Sequence, residues 1–141
     1  MTLIAGSIPI RWQCGPLEIA KREKTGALSA EERSVIERWL NPGALDLLRG
    51  SPVDCLILGW AAGLPQDAEQ QRSTAPLAGE ARRRGLSVVG WVEGAANREA
   101  AIAAARAAGL TAVAVEGFNG RSDFPVIPWG PRSNAPWESA G

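Results

Sequence analysis

Histidine and tyrosine are both missing from this 141-residue chain. Their absence excludes Ser-His-Asp and Cys-His catalysis, histidine-ligated zinc and tyrosine general acids. Any acid–base chemistry therefore falls to carboxylates or lysine. Cysteine is scarce: Cys14 and Cys55 lack metal-ligand spacing, and Cys55 lies inside an apolar run. That usage predicts two reduced thiols in a cytoplasmic protein. No apolar stretch is long enough to span a bilayer, and the start, "MTLIAGSIPIRWQC", lacks the charged region of a secretory signal. Neither sign of charge is in excess, with fifteen basic and fifteen acidic residues, so no global field draws the chain to nucleic acid or anionic lipid. Dinucleotide fingerprints, Walker motifs, CxxC and HExxH are all absent, and no basic–aromatic stripe points to nucleic acid. No metal or cofactor is called for, and no membrane partner.

What the chain does contain is a series of short apolar runs: "TLIAGSIPI", "VDCLILGW", "LSVVGWVE", "LTAVAVE" and a brief "FPVIPWG". Runs of this length, rich in Val, Ile and Leu, suit strands covered on both faces, which favours a parallel sheet. Helical patterns separate them. "ALSAEERSVIERWL" begins with a capping box, Ser29 to Glu32, and carries an apolar stripe of Val35, Ile36, Trp39 and Leu40. "ALDLLRG" adds a further short helical turn. "QRSTAPLAGEARRRGL" reads as a helix whose firm part starts at about Thr74, because Pro76 suits a first turn better than an interior. Its basic run Arg82-Arg83-Arg84 fits the negative end of the helix dipole. Asn97 caps "REAAIAAARAA", and Gly85 and Gly109 end their helices. The order is β-α-β-α-β-α-β with a weak fifth strand. This is a βα-repeat domain over residues 1–130, followed by a loop-like tail over 131–141.

Two architectures fit: part of a (βα)8 barrel, of which this chain is the N-terminal half, or an open doubly wound sheet of flavodoxin-like size. Side-chain alternation favours the barrel. Ala112, Ala114 and Glu116 share one face of their run, and Val113 and Val115 the other. Val89, Trp91 and Glu93 likewise oppose Val88, Gly90 and Val92. A barrel places branched residues outward against helices and functional ones inward at strand ends. The stretch "RRRGLSVVGWVEG" followed by "AAIAAARAAGLTAVAVEG" resembles successive βα units of (βα)8-barrel enzymes, glycoside-hydrolase-like ones in particular, over roughly residues 53–120. The motif is generic and names no single family. The resemblance implies a carbohydrate-directed site at the strand carboxyl ends. With its parallel sheet ending near a fifth strand, the chain is expected either to continue into a longer protein or to pair with a second copy, since a half-barrel leaves open edges and an uncovered inner face.

The candidate site residues follow from that placement. Arg11 and Trp12, Trp60, Trp91 and Glu93, Glu116 and Trp129 all fall at the ends of the apolar runs. Indoles there suit stacking on a sugar ring or a base; they equally suit plugging the end of a sheet with short loops. Glu93 and Glu116, on neighbouring strands at equal height, would lie about 5 Å apart, the separation of a retaining glycosidase pair. Close like charges would raise one of the two acids towards neutrality. An ungapped match of the two repeats nevertheless sets Glu116 opposite Val92, and each glutamate also fits a strand emerging into solvent. By the resemblance, Glu116 on the fourth strand is the better acid candidate. Arg11 is a partner for a strand-end glutamate or for an anionic substrate. Gly117–Ser122 offers backbone amides and Arg121 to a phosphate, without a P-loop lysine. A non-catalytic domain that completes its sheet by association, or an open sheet binding a nucleotide or phosphate sugar, are the competing readings.

Overall fold

The structure, a computed structural model, describes residues 7–130. The expected strand content of residues 2–6 and the expected tail over 131–141 lie outside them. The element order is β1 (Pro9–Trp12), α1 (Pro16–Glu23), α2 (Ala30–Arg38), a 3-10 segment (Pro42–Leu48), β2 (Cys55–Ala61), α3 (Asp67–Arg83), β3 (Ser87–Val92), α4 (Arg98–Ala107), β4 (Ala112–Glu116) and β5 (Val126–Trp129). The five strands form one all-parallel sheet in the order β1-β2-β3-β4-β5. Because that order never reverses, the sheet has no topological switch point, the crevice on which a doubly wound sheet binds its ligand.

The two faces differ as the alternation requires. One face carries Leu56, Leu58 and Trp60 of β2, Val88 and Val92 of β3, and Val113 and Val115 of β4. These pack with Leu77, Ala78 and Ala81 of α3, Ala101 and Ala105 of α4, and Leu45 of the 3-10 segment. The other face gathers Cys55, Ile57, Val89, Ala112, Ala114 and Ile127, with Trp91 and Trp129 packed against them and no helical residue in the cluster. The segments α3, α4 and the 3-10 turn therefore pack on one side of the sheet. The inner face is not the bare apolar surface expected from the sequence, since Cys55, Ile57, Val89, Ala112 and Ala114 are at most 2% exposed.

The helix starts are chemically marked. Ser29 Oγ accepts from Glu32 N and Glu32 Oε1 accepts from Ser29 N, completing the capping box. The backbone and hydroxyl of Ser29 hold the Glu32 carboxyl below the usual carboxylate range. Asn97 Oδ1 accepts from Ala100 N at the start of α4. Of the basic run, Arg83 and Arg84 pair with Glu80, Arg84 also reaches Asp46, and Arg82 donates to the carbonyl of Gly109, so all three act structurally.

The expected start of α3 at Thr74 is overturned. The helix begins at Asp67 and holds Pro76 in its interior. Asp67 collects the amides of Ala62, Gly63 and Leu64, while Gln70 and Gln71 hold the carbonyls of Gly59 and Trp60. These tertiary bonds fix the first two turns against the local cost of proline. The helix α1 was not expected at all. Pro16 opens it, and a Glu18–Arg22 pair one turn apart supports it.

Candidate functional site at the strand carboxyl ends

In β3 and β4, Val92 pairs with Val115, so the next step along both chains brings Glu93 level with Glu116. The ungapped repeat match was out by one residue, and the two glutamates do share a rim. Their carboxylates have separate partners. Glu93 forms an ion pair with Lys21 of α1. Glu116 accepts the Gly94 amide on Oε1 at 2.7 Å, and its carbonyl oxygen accepts from the Arg98 guanidinium at 3.0 Å. The two acids are thus held as individuals.

Glu116 also pairs in register with Trp129 of β5. The Trp129 ring stacks on Trp91, with centroids 4.1 Å apart and planes at 24°. Its indole N–H donates to the carbonyl of Ala114 at 3.1 Å, which fixes the ring over the small side chains of β4. The Arg11 guanidinium lies 4.5 Å from the Trp91 centroid, a cation–π contact. Arg11 has no carboxylate partner among the described residues. Arg11, Trp91, Trp129 and Glu116 therefore form one continuous line across the inner face, from β1 to β5.

Trp12 and Trp60 are not part of it. Each alternates onto the helix side: Trp12 follows Ile10 and Trp60 follows Leu56 and Leu58. Trp60 is fully buried with its N–H on the Ala101 carbonyl at 2.9 Å. Trp12 packs edge-on against Trp39 at 4.8 Å and donates to that residue's carbonyl. Both Trp12 and Trp60 lie on the helix side of the sheet, so of the four expected tryptophans only Trp91 and Trp129 share the inner face.

Lys21 and Gln70 are the residues that sequence reasoning missed. Both lie on helices whose packing over the strand ends is nonlocal: Lys21 is 72 residues from Glu93, and Gln70 is 53 from Leu17. Burial pushes the Cys14 thiol up to about 12 and the Cys55 thiol up to about 11, and both are unpaired. Thiols so strongly protonated are not nucleophiles at neutral pH. Among the described residues no group of three or more His, Cys, Asp or Glu is placed to hold a metal, and no helix is long and apolar enough to cross a membrane. Comparison with protein-family models, curated proteins and solved structures finds no match for this chain.

Proposed function

We propose that the chain is the amino-terminal portion of a (βα)8-type barrel protein, working in the reducing cytoplasm, with a carbohydrate-directed site at its strand ends. The observation that carries this reading is the register pair Glu116–Trp129, with Trp91 stacked behind it, at the carboxyl ends of adjacent parallel strands. Trp91 is covered by Arg11 and by Trp129, so it acts as backing. The far side of Trp129 is the stacking surface for the apolar face of a sugar ring. Glu116 has one oxygen on the Gly94 amide and presents the other as acceptor or, when protonated, as acid to a glycosidic oxygen. Glu93 is neutralised by Lys21, so the site is built for binding first; covalent catalysis by the pair would require that ion pair to open. Titration with a broad glycan panel should change the tryptophan emission. Trp129→Ala should weaken the responding glycan by about tenfold or more while the fold persists. Unchanged emission across the panel would refute the reading.

A second reading, association with another copy across the β1 edge, is favoured by the distribution of exposed apolar residues. Ile8 at 47%, Val35 at 42% and Leu47 at 69% are the large exposed hydrophobics among the described residues. Ile8 precedes β1, Val35 lines a cleft with Ile10 and Trp12 of β1, and Leu47 shares the next groove with Val35 and Trp39. They lie on the β1 side, where β1 is the edge strand of the sheet among the described residues. Light scattering should show a concentration-dependent dimer that Leu47→Glu shifts towards monomer. A monomer at every concentration counts against this reading.

A further inference from the structure

We infer that the flank of α4 is a binding cleft for a small organic ligand carrying two phosphoryl groups. This inference uses none of the strand-end stacking surface and stands independently of the carbohydrate reading. The cleft arises from the way β4 connects to β5. The crossovers before it carry α3 and α4, whereas residues 117–125 reach β5 without a helix. Parallel crossovers ordinarily take a helix that packs beside its predecessor. Its absence leaves the side of α4 open, and a cavity of about 470 Å³ runs there. Arg98, Ile102 and Arg106 of α4 line it, facing Phe118, Arg121 and Ser122 of the connection. Glu99 is the only acid in the lining, so cations dominate three to one.

The three arginines share with Arg11, Arg38, Arg72 and Arg82 the lack of an ion-pair partner among the described residues, and what sets them apart is that all three line one cavity. Arg22, Arg33, Arg49, Arg83 and Arg84 each sit on a carboxylate. Arg98, Arg106 and Arg121 have no ion-pair partner among the described residues. Two of them are nevertheless oriented. Arg98 donates to the Glu116 carbonyl at 3.0 Å, and Arg106 lies 5.6 Å from the centroid of Phe124. Both contacts position a guanidinium without neutralising it, leaving the remaining N–H groups for an oxyanion. The planar guanidinium fork suits carboxylate and phosphoryl oxygens alike, and three cations against one acid favour the more highly charged phosphoryl group. Ser122 Oγ accepts from Phe124 N at 3.1 Å, so its own hydroxyl hydrogen points elsewhere and is a further donor for the ligand.

Spacing selects the ligand class. Arg98 and Arg106 are eight residues apart on one helix, which separates their backbones by roughly 12 Å. With Arg98 held at the Glu116 carbonyl and Arg106 held over Phe124, two phosphoryl groups joined through a short organic body fit the pair better than a single one. Ile102 and Phe118, both half-buried between the arginines, supply an apolar wall for that body. A nucleoside diphosphate and a sugar bisphosphate share this chemistry.

Calorimetric titration of the full chain with ADP, fructose 1,6-bisphosphate, pyrophosphate and inorganic phosphate separates the cases. At least one of the two organic compounds should bind at least about tenfold more tightly than inorganic phosphate. A preference for ADP assigns the apolar wall to a base, and a preference for the bisphosphate assigns it to a sugar. Arg106→Gln and Arg121→Gln, both at exposed positions, should each weaken binding by about tenfold, as expected for loss of a charge-assisted contact. Arg49→Gln, in a separate cavity beside Glu80 and Arg84, should leave affinity unchanged. No binding by either organic compound, equal affinity for inorganic phosphate, or arginine variants that bind like the parent would each overturn the inference.

Discussion

Replacing Gln70 with alanine is expected to cost about 3–5 kcal/mol of unfolding free energy, a large share of the stability of a domain this size. The side chain is completely buried on α3. Its Oε1 accepts from Leu17 N at 2.9 Å, and its Nε2 donates to the carbonyls of Cys14 and Gly59, each at 3.0 Å. One amide thus joins the loop after β1, the first turn of α1 and the end of β2. Removing it leaves one N–H and two carbonyls buried without that partner, along with a cavity, and each loss is costly inside a protein. Gly15 belongs to the same device. Its φ is +91°, and a Cβ built there would stand 2.3 Å from the Gln70 carboxamide oxygen. Denaturant melts should show a lower midpoint with an unchanged slope.

Gln70→Glu makes the same argument by sign. The glutamate keeps an acceptor for Leu17 N but sets a second oxygen against the carbonyls of Cys14 and Gly59. Burial and those carbonyls favour the protonated acid, so its folded pKa is raised above the unfolded one. A group shifted in that direction contributes its stability below the unfolded pKa and loses it as pH rises through the folded one. Relative to the parent, Gln70→Glu should therefore be least stable at neutral pH and recover on acidification. A pH-independent deficit would remove the carbonyl contacts from the explanation.

Strand alternation explains why much of the fold was legible and part of the site was not. The faces of β3 and β4 follow from period two within each run, and the structure keeps both assignments. Every strand-end tryptophan, however, looks alike in the sequence, because its face depends on where its own strand begins and how it pairs. Trp12 pairs with Leu58 and so faces the helices, while Trp129 pairs with Glu116 and faces inward. Between β3 and β4 a shift of one residue decides whether Glu93 and Glu116 stand level, and nothing in the repeat itself sets that shift. The two long-range partners, Lys21 and Gln70, depend on how α1 and α3 dock, which no local pattern encodes. Pro76 misled in the same way: a local rule placed it at a helix start, and tertiary hydrogen bonds extended the helix past it.

Trp60→Ala should destabilise the fold by about 3–5 kcal/mol, the range for emptying a large aromatic site. Trp60 is the largest of the fully buried side chains among the described residues, and its ring lies directly over Gly90 of β3. A Cβ at Gly90 would stand 2.8 Å from Trp60 Cγ and 3.0 Å from Leu110 Cδ2, closer than packed carbons approach. The glycine in "VVGWV" is therefore a space for an indole on the neighbouring strand. Gly90→Ala alone should cost about 1–3 kcal/mol by overpacking. In the Trp60→Ala background the Cγ contact is gone, while the Cβ of residue 60 and Leu110 Cδ2 each stay 3.0 Å away with room to give, so the cost should fall without vanishing. The double variant should thus be more stable than the sum of the two single effects requires, by part of the Gly90→Ala cost. Strict additivity would mean that Trp60 and Gly90 do not touch, and with that the pairing of β2 and β3 that sets the inner-face line from Arg11 to Trp129 would fail.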